Sequence, residues 1–205
     1  MAKIYPQTPT CSSYMTSTRE TFTIWMKSLV FHGNGCTVFN SNGKIVYRID
    51  NYDEKSSNEV YLMDLQGKVL FSIRRKKLSF LGHWDIYKWS GSKMNKLEKP
   101  WYQARTNSNF LGREMACHVT LGRDKAKVIS YRIIGLAGKL AFKITDSHGG
   151  LVAEVTQKQL SSGVVLGDDV LSLVVEPQTD HSLVMALVTV YWGLENFDES
   201  FIKHA

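Results

Sequence analysis

Along most of the chain, apolar residues come in bursts of five to eight, often β-branched or aromatic, bounded by Gly, Asn, Asp or Ser. The candidate strands are residues 21–28, 36–40, 45–50, 59–64, 69–75 and 84–89. They continue at 101–107, 114–121, 128–134, 139–145, 151–157 and 169–176. Such short segments on a regular beat predict an antiparallel barrel or sandwich.

Residues 177–196, PQTDHSLVMALVTVYWGLEN, break the rhythm. Pro177 opens the segment, Asp180 suits an N-cap, and Gly193 is expected to end a helix. The run from Leu183 to Gly193 is apolar on every side, so a helix there must be buried all round. It falls short of the roughly 20 residues needed to span a bilayer. A β-rich chain buries such a helix by closing its sheet around it. A thirteenth strand is the alternative, because Val184, Leu187, Val188 and Val190 tolerate β structure.

Three stretches repeat one turn pattern: NSNGKIVYRI (40–49), DLQGKVLFSI (64–73) and DSHGGLVAEV (146–155). In each, a glycine (Gly43, Gly67, Gly149) follows Asn or Asp by three residues. The Asx side chain bonds the turn backbone and glycine accepts a positive φ, so hairpins are expected. One carboxylate per turn, with no EF-hand loop, argues against calcium. The first 20 residues are Ser/Thr/Pro-rich and read as a flexible arm, leaving 21–205 as a single domain.

Charge changes the picture in one region. The net charge is +6, yet residues 74–132 alone hold 14 basic and 4 acidic residues. Within SIRRKKLSFLGHWDIYKW (72–89), four consecutive cations interrupt an apolar, aromatic-rich run. Strand alternation sends Arg74, Arg75, Lys76 and Lys77 to both faces at a strand end, with Lys88 expected within reach. The 90–99 loop adds Lys93, Lys96 and Lys99, and the turn at 121–127 adds Arg123, Lys125 and Lys127. Clustered Arg and Lys suit a phosphorylated, anionic headgroup, and equally a solvated edge. The candidate ligand-binding set is therefore Arg74, Arg75, Lys76, Lys77, Lys88, Arg123, Lys125 and Lys127. Alternation also divides Trp84 from Trp89, so at least one of them belongs to the core.

The run LMDLQGKVLFSIRRKKLSFLGHWDIYKW and the ending GDDVLSLVVEPQTDHSLVMALVTVYW carry a resemblance to the plant LURP-one-related proteins, from about residue 21 to 197. That family looks like the Tubby C-terminal domain and the phospholipid scramblases. The resemblance implies a mainly β fold: a closed antiparallel barrel of about 12 strands around a buried C-terminal apolar helix. It also implies an association with plant defence, and, by analogy of fold, phosphoinositide binding with membrane-tethered regulation of transcription. No Tubby ligand residue aligns onto this chain one by one.

Catalytic patterns are missing. Cys117 and His118 are strand neighbours and point to opposite faces, so they form no dyad. HGNGC (32–36) lacks the third glycine of a dinucleotide fingerprint. Asp168 and Asp169 read as a turn, and the six histidines show no metal spacing. The expectation is a protein that is no enzyme, with no cofactor or metal. It is expected to be a monomer whose partner is a phosphoinositide or acidic membrane surface; the alternative is a scaffold in defence signalling with an unknown protein partner and no lipid ligand. Nucleic acid is disfavoured, since no recognition helix or RNP-like motif occurs. Three unpaired cysteines (Cys11, Cys36, Cys117), no N-x-[ST] acceptor and no signal-like apolar core predict a cytoplasmic protein. Peripheral plasma-membrane or partly nuclear placement stays open, and secretion is excluded.

Overall fold

The computed structural model describes residues 14–26, 35–50, 59–76, 82–89, 99–108, 114–121, 130–136, 141–160, 162–167 and 169–202. The strands are β1 (Glu20–Trp25), β2 (Cys36–Phe39), β3 (Ile45–Asp50), β4 (Glu59–Asp64), β5 (Val69–Arg75) and β6 (His83–Lys88). They are followed by β7 (Tyr102–Ser108), β8 (Glu114–Leu121), β9 (Ser130–Leu136), β10 (Phe142–Asp146), β11 (Leu151–Gln157) and β12 (Val170–Val175). A single helix among the described residues, α1 (His181–Ile202), comes last. Each strand pairs antiparallel with its sequence neighbour, and β1 closes the barrel on β12 from Glu20↔Val175 to Trp25↔Val170.

Alternation fills the interior. On β1 the buried residues are Phe22 and Ile24, and on β12 they are Leu171, Leu173 and Val175. These inward rows meet α1, whose residues Ser182 to Trp192 are all buried. A helix apolar on every side has found walls on every side, which rules out the thirteenth strand. Asp180 caps it as expected, with Oδ1 accepting from the backbone N–H of Ser182 at 2.9 Å and of Leu183 at 3.3 Å. Gly193, expected to stop the helix, lies inside it. A Cβ there would sit 2.4 Å from the Trp84 ring, so glycine is required by close packing rather than by termination. No helix among the described residues is long and apolar enough to cross a membrane.

The three repeated hairpins share one construction. Asn40, Asp64 and Asp146 each accept, through Oδ1, the backbone N–H groups two and four residues on. Gly43, Gly67 and Gly149 take φ values of 73°, 77° and 83°. In all three the register shifts just before the Asx residue. All three turns lie where α1 enters, here called the entry end; the opposite end is the exit end.

From Tyr14 onward the segment read as an arm is tied to the barrel, while residues 1–13 lie outside the described residues. Met15 bridges Asp180, Gln178 N–H donates to Thr16 O at 2.9 Å, and Arg19 pairs with Glu176 at 2.5 Å. Tyr14 also stacks edge-on to His181 at 5.8 Å, and the Tyr47 hydroxyl bonds His181 Nδ1 at 2.5 Å. This cluster seals the β1–β4 side of the entry end.

Candidate functional site

The cations expected to form one site divide between the two ends. Arg74 and Arg75 close β5 at the exit end, where Arg74 pairs with Asp85 and Arg75 with Trp84 in the register. Lys88 is opposite Phe71, three residues from Arg74, so it belongs to the entry end and not to the basic hairpin. Lys77, Arg123, Lys125 and Lys127 lie outside the described residues. Leu121, the last described residue before them, pairs with Tyr102 at the entry end.

At the exit end, the strand carries its cations because acids on both neighbouring strands meet them. Arg74 Nε lies 2.8 Å from Glu59 Oε1 on β4, an ion pair without hydrogen-bond alignment. Its guanidinium covers the Tyr87 ring at 5.1 Å, and Ser72 donates to the same Glu59 oxygen. Lys76 Nζ reaches Asp85 Oδ2 at 3.2 Å. Asp85 is buried on the outer wall and also accepts from Gln103 Nε2 at 3.0 Å, with His83 Nε2 3.4 Å away. Burial, then Lys76, lowers the His83 pKa. Arg75 shares the inner face with Ile73, and burial lowers its pKa. The side chains of Arg74 and Lys76 remain 35% and 48% exposed. Neither Glu59 nor Asp85 was legible as a partner from the sequence, because each lies on another strand and only the register joins them.

That end also holds an apolar feature the sequence reading did not single out. Between β11 and β12 a tight hairpin is fixed by Leu160 N–H to Val164 O and Gly163 N–H to Leu160 O, both 2.8 Å. Leu160, Val164, Val165 and Leu166 are exposed on it, Val164 to 58%. The apolar run Val164 to Leu166 after SSG was the available signal.

At the entry end, Lys88 Nζ sits 5.0 Å from the centroid of Trp101. It lines a cavity of about 380 Å³ between α1 and the inner wall, together with Trp101, Tyr102, Tyr131, Asp146 and Asp180.

Among the described residues, catalytic groups do not converge. Cys117 is buried and His118 is exposed, on opposite faces of β8 as expected. Burial pushes the Cys117 thiol up to about 12, far from a reactive thiolate. Cys36 is buried and its thiol is pushed up as well. No group of three His, Cys, Asp or Glu suited to a metal occurs among the described residues. Cys11 and Asp168 lie outside them.

Comparison with known proteins agrees with this architecture. The LURP-one-related family matches residues 20–192. Protein LURP-one-related 4 of Arabidopsis thaliana is 47% identical over 199 residues, covering 97% of this chain and 89% of its own. Protein LURP-one-related 3 of the same plant is 46% identical over 180 residues, covering 87% and 81%. A crystal structure of another Arabidopsis thaliana protein superposes with a TM-score of 0.64 at 15% identity, covering 88% of this chain and 94% of that one; this likeness concerns the fold. The chain belongs to the LURP-one-related family.

Proposed function

We propose that this protein is a non-enzymatic binding module that docks on an acidic lipid surface, phosphoinositide-containing membrane included, through the exit end of its barrel. The observation that carries the reading is the pairing of two features at that end. Half-exposed cations close β5, and an exposed apolar hairpin, Leu160 to Leu166, projects from between β11 and β12. The two hairpins are six strands apart in a barrel of twelve, on opposite sides of one rim. A partner that meets both is broad and flat. It offers negative charge to Lys76, and a hydrocarbon border to Val164, Val165 and Leu166. Each cation near an anionic bilayer contributes about 1 kcal/mol, and each apolar side chain adds a share of its burial energy.

The test is co-sedimentation with neutral and with phosphoinositide-containing vesicles at two salt concentrations. Arg74 and Arg75 are left alone, since Arg74 is tied to Glu59 and Tyr87 and Arg75 is on the inner face. Lys76→Gln with Lys77→Gln is expected to weaken binding by up to roughly thirtyfold, at about 1 kcal/mol per charge, the share of Lys76 being reduced by its ion pair with Asp85. Val164→Ser with Val165→Ser should weaken it at both salt concentrations. Wild-type protein that pellets with neither vesicle sinks the proposal and directs attention to a protein partner.

A further inference from the structure

Among the described residues, the entry end of the barrel is sealed on one side and open on the other. Tyr14, Tyr47 and His181 fill the β1–β4 side, whereas the β5–β11 side keeps the cavity of about 380 Å³. Barrel mouths of this size, above roughly 300 Å³, are common ligand sites. The described lining has charge of both signs. Lys88 is exposed and, among the described residues, has no carboxylate within ion-pair distance; its contact is the face of Trp101. Asp146 and Asp180 lie elsewhere on the wall.

Both carboxylates already serve the backbone through one oxygen. Asp146 Oδ1 accepts from His148 and Gly150 N–H at 2.8 Å each, which holds its carboxyl below the ordinary range. Asp180 Oδ1 takes the first-turn N–H groups of α1. Oδ2 of each has no hydrogen bond among the described residues and remains free to accept. The helix N-terminus offers nothing to an anion, because its amides are taken: His181 N–H by Tyr14 O, Val184 N–H by Asp180 O, and the two between them by Asp180 Oδ1. Lys88 is thus the sole positive pole of the described lining.

Two tyrosines stand on the wall, their rings edge to face at 6.4 Å. Tyr102 is more than nine-tenths buried, and its hydroxyl has no hydrogen-bond partner among the described residues. Burial, with the neighbouring Asp180 contributing, keeps Tyr102 and Tyr131 protonated. Phe71 and Leu183 add apolar surface, and Gln178 at the lip is held at φ 61°, a strained setting for a residue with a side chain.

We propose that this cavity binds a small zwitterion, a free amino acid with an apolar or aromatic side chain. Its carboxylate meets Lys88 Nζ, its ammonium meets the free oxygens of Asp146 and Asp180, and its side chain lies against Trp101, Phe71 and Leu183. A ligand that is only an acid faces two like charges here, and one that is only an amine faces Lys88. A zwitterion satisfies both poles, and the Tyr102 hydroxyl gains a partner that it lacks among the described residues. This site is at the opposite end of the barrel from the lipid-facing edge proposed above and stands without it.

Isothermal titration calorimetry of the full chain tests this. The ligands are L-phenylalanine, L-tyrosine, L-tryptophan and L-leucine, with phenethylamine and 3-phenylpropanoate as single-charge analogues. At least one amino acid is expected to bind at least tenfold more tightly than either analogue. Lys88→Met should weaken that binding at least tenfold and Tyr102→Phe severalfold, whereas Lys44→Met, on a turn at the same end, should leave it unchanged. No heat from any of the four amino acids overturns the proposal. So does an analogue that binds as tightly, or a Lys88→Met protein that binds as well as wild type.

Discussion

At the scale of single residues, side chains are fixed by what crosses the barrel as much as by their own strand. Gly193 is the clearest case. Alanine at an ordinary helix position gains about 1 kcal/mol over glycine. Here its Cβ would meet the Trp84 ring at 2.4 and 2.5 Å, and forcing a methyl into a packed core costs about 1–3 kcal/mol. The ring contacts are too short for the small end of that cost, so the steric term should win and Gly193→Ala is expected to lower stability by up to about 2 kcal/mol. Urea unfolding would read this as a lower midpoint with an unchanged slope; a midpoint at or above wild type would refute the packing argument. The residues whose chemistry is local were legible in the sequence. Asn40, Asp64 and Asp146 announce their turns, because donor and acceptor are two to four positions apart. Arg74 and Lys76 were legible as cations but not as paired ones, since Glu59 and Asp85 lie on other strands.

At the scale of elements, strand positions followed from apolar bursts and the helix from its unbroken apolar run. The extent of α1 did not. A glycine after such a run usually marks an end, and only the register of Trp84 against the helix reveals the other reason for it. The same helix carries an energetic claim. Large side chains buried along it include Leu183, Met185, Leu187, Tyr191 and Trp192. At about 1.5–3 kcal/mol each, these alone rival the roughly 5–15 kcal/mol net stability of a typical domain. A chain ending at residue 180 should therefore lose its cooperative thermal transition and its near-ultraviolet dichroism. Retention of a sharp melt would mean that the barrel stands without its core helix.

At the scale of the whole molecule, the two ends of the barrel differ in what they offer, and the sequence could not sort the cations between them. A meander sends successive turns to alternate ends, so residues close in sequence, such as Lys76 and Lys88, part company. Acid should unsettle the fold as a whole. Burial lowers the pKa of both His83 and His181 below the ordinary 6.5. Below that pH the unfolded chain takes up protons that the folded chain resists, so stability should fall as pH drops from 7 toward 5.5. Thermal midpoints across that range would check it, with a shallower slope expected for His181→Gln; a flat wild-type profile would contradict the buried, neutral imidazoles. One further consequence follows from where the core lies along the chain. The helix that fills the barrel is encoded after the twelve strands, and β1 waits for β12 to close the wall. At the ribosome, emerging at about 5–20 residues per second, the first twelve strands have nothing to wrap around. Closure must then wait until α1 has cleared the ribosome, and until then the inward-facing rows of Ile, Leu and Val are exposed to other chains.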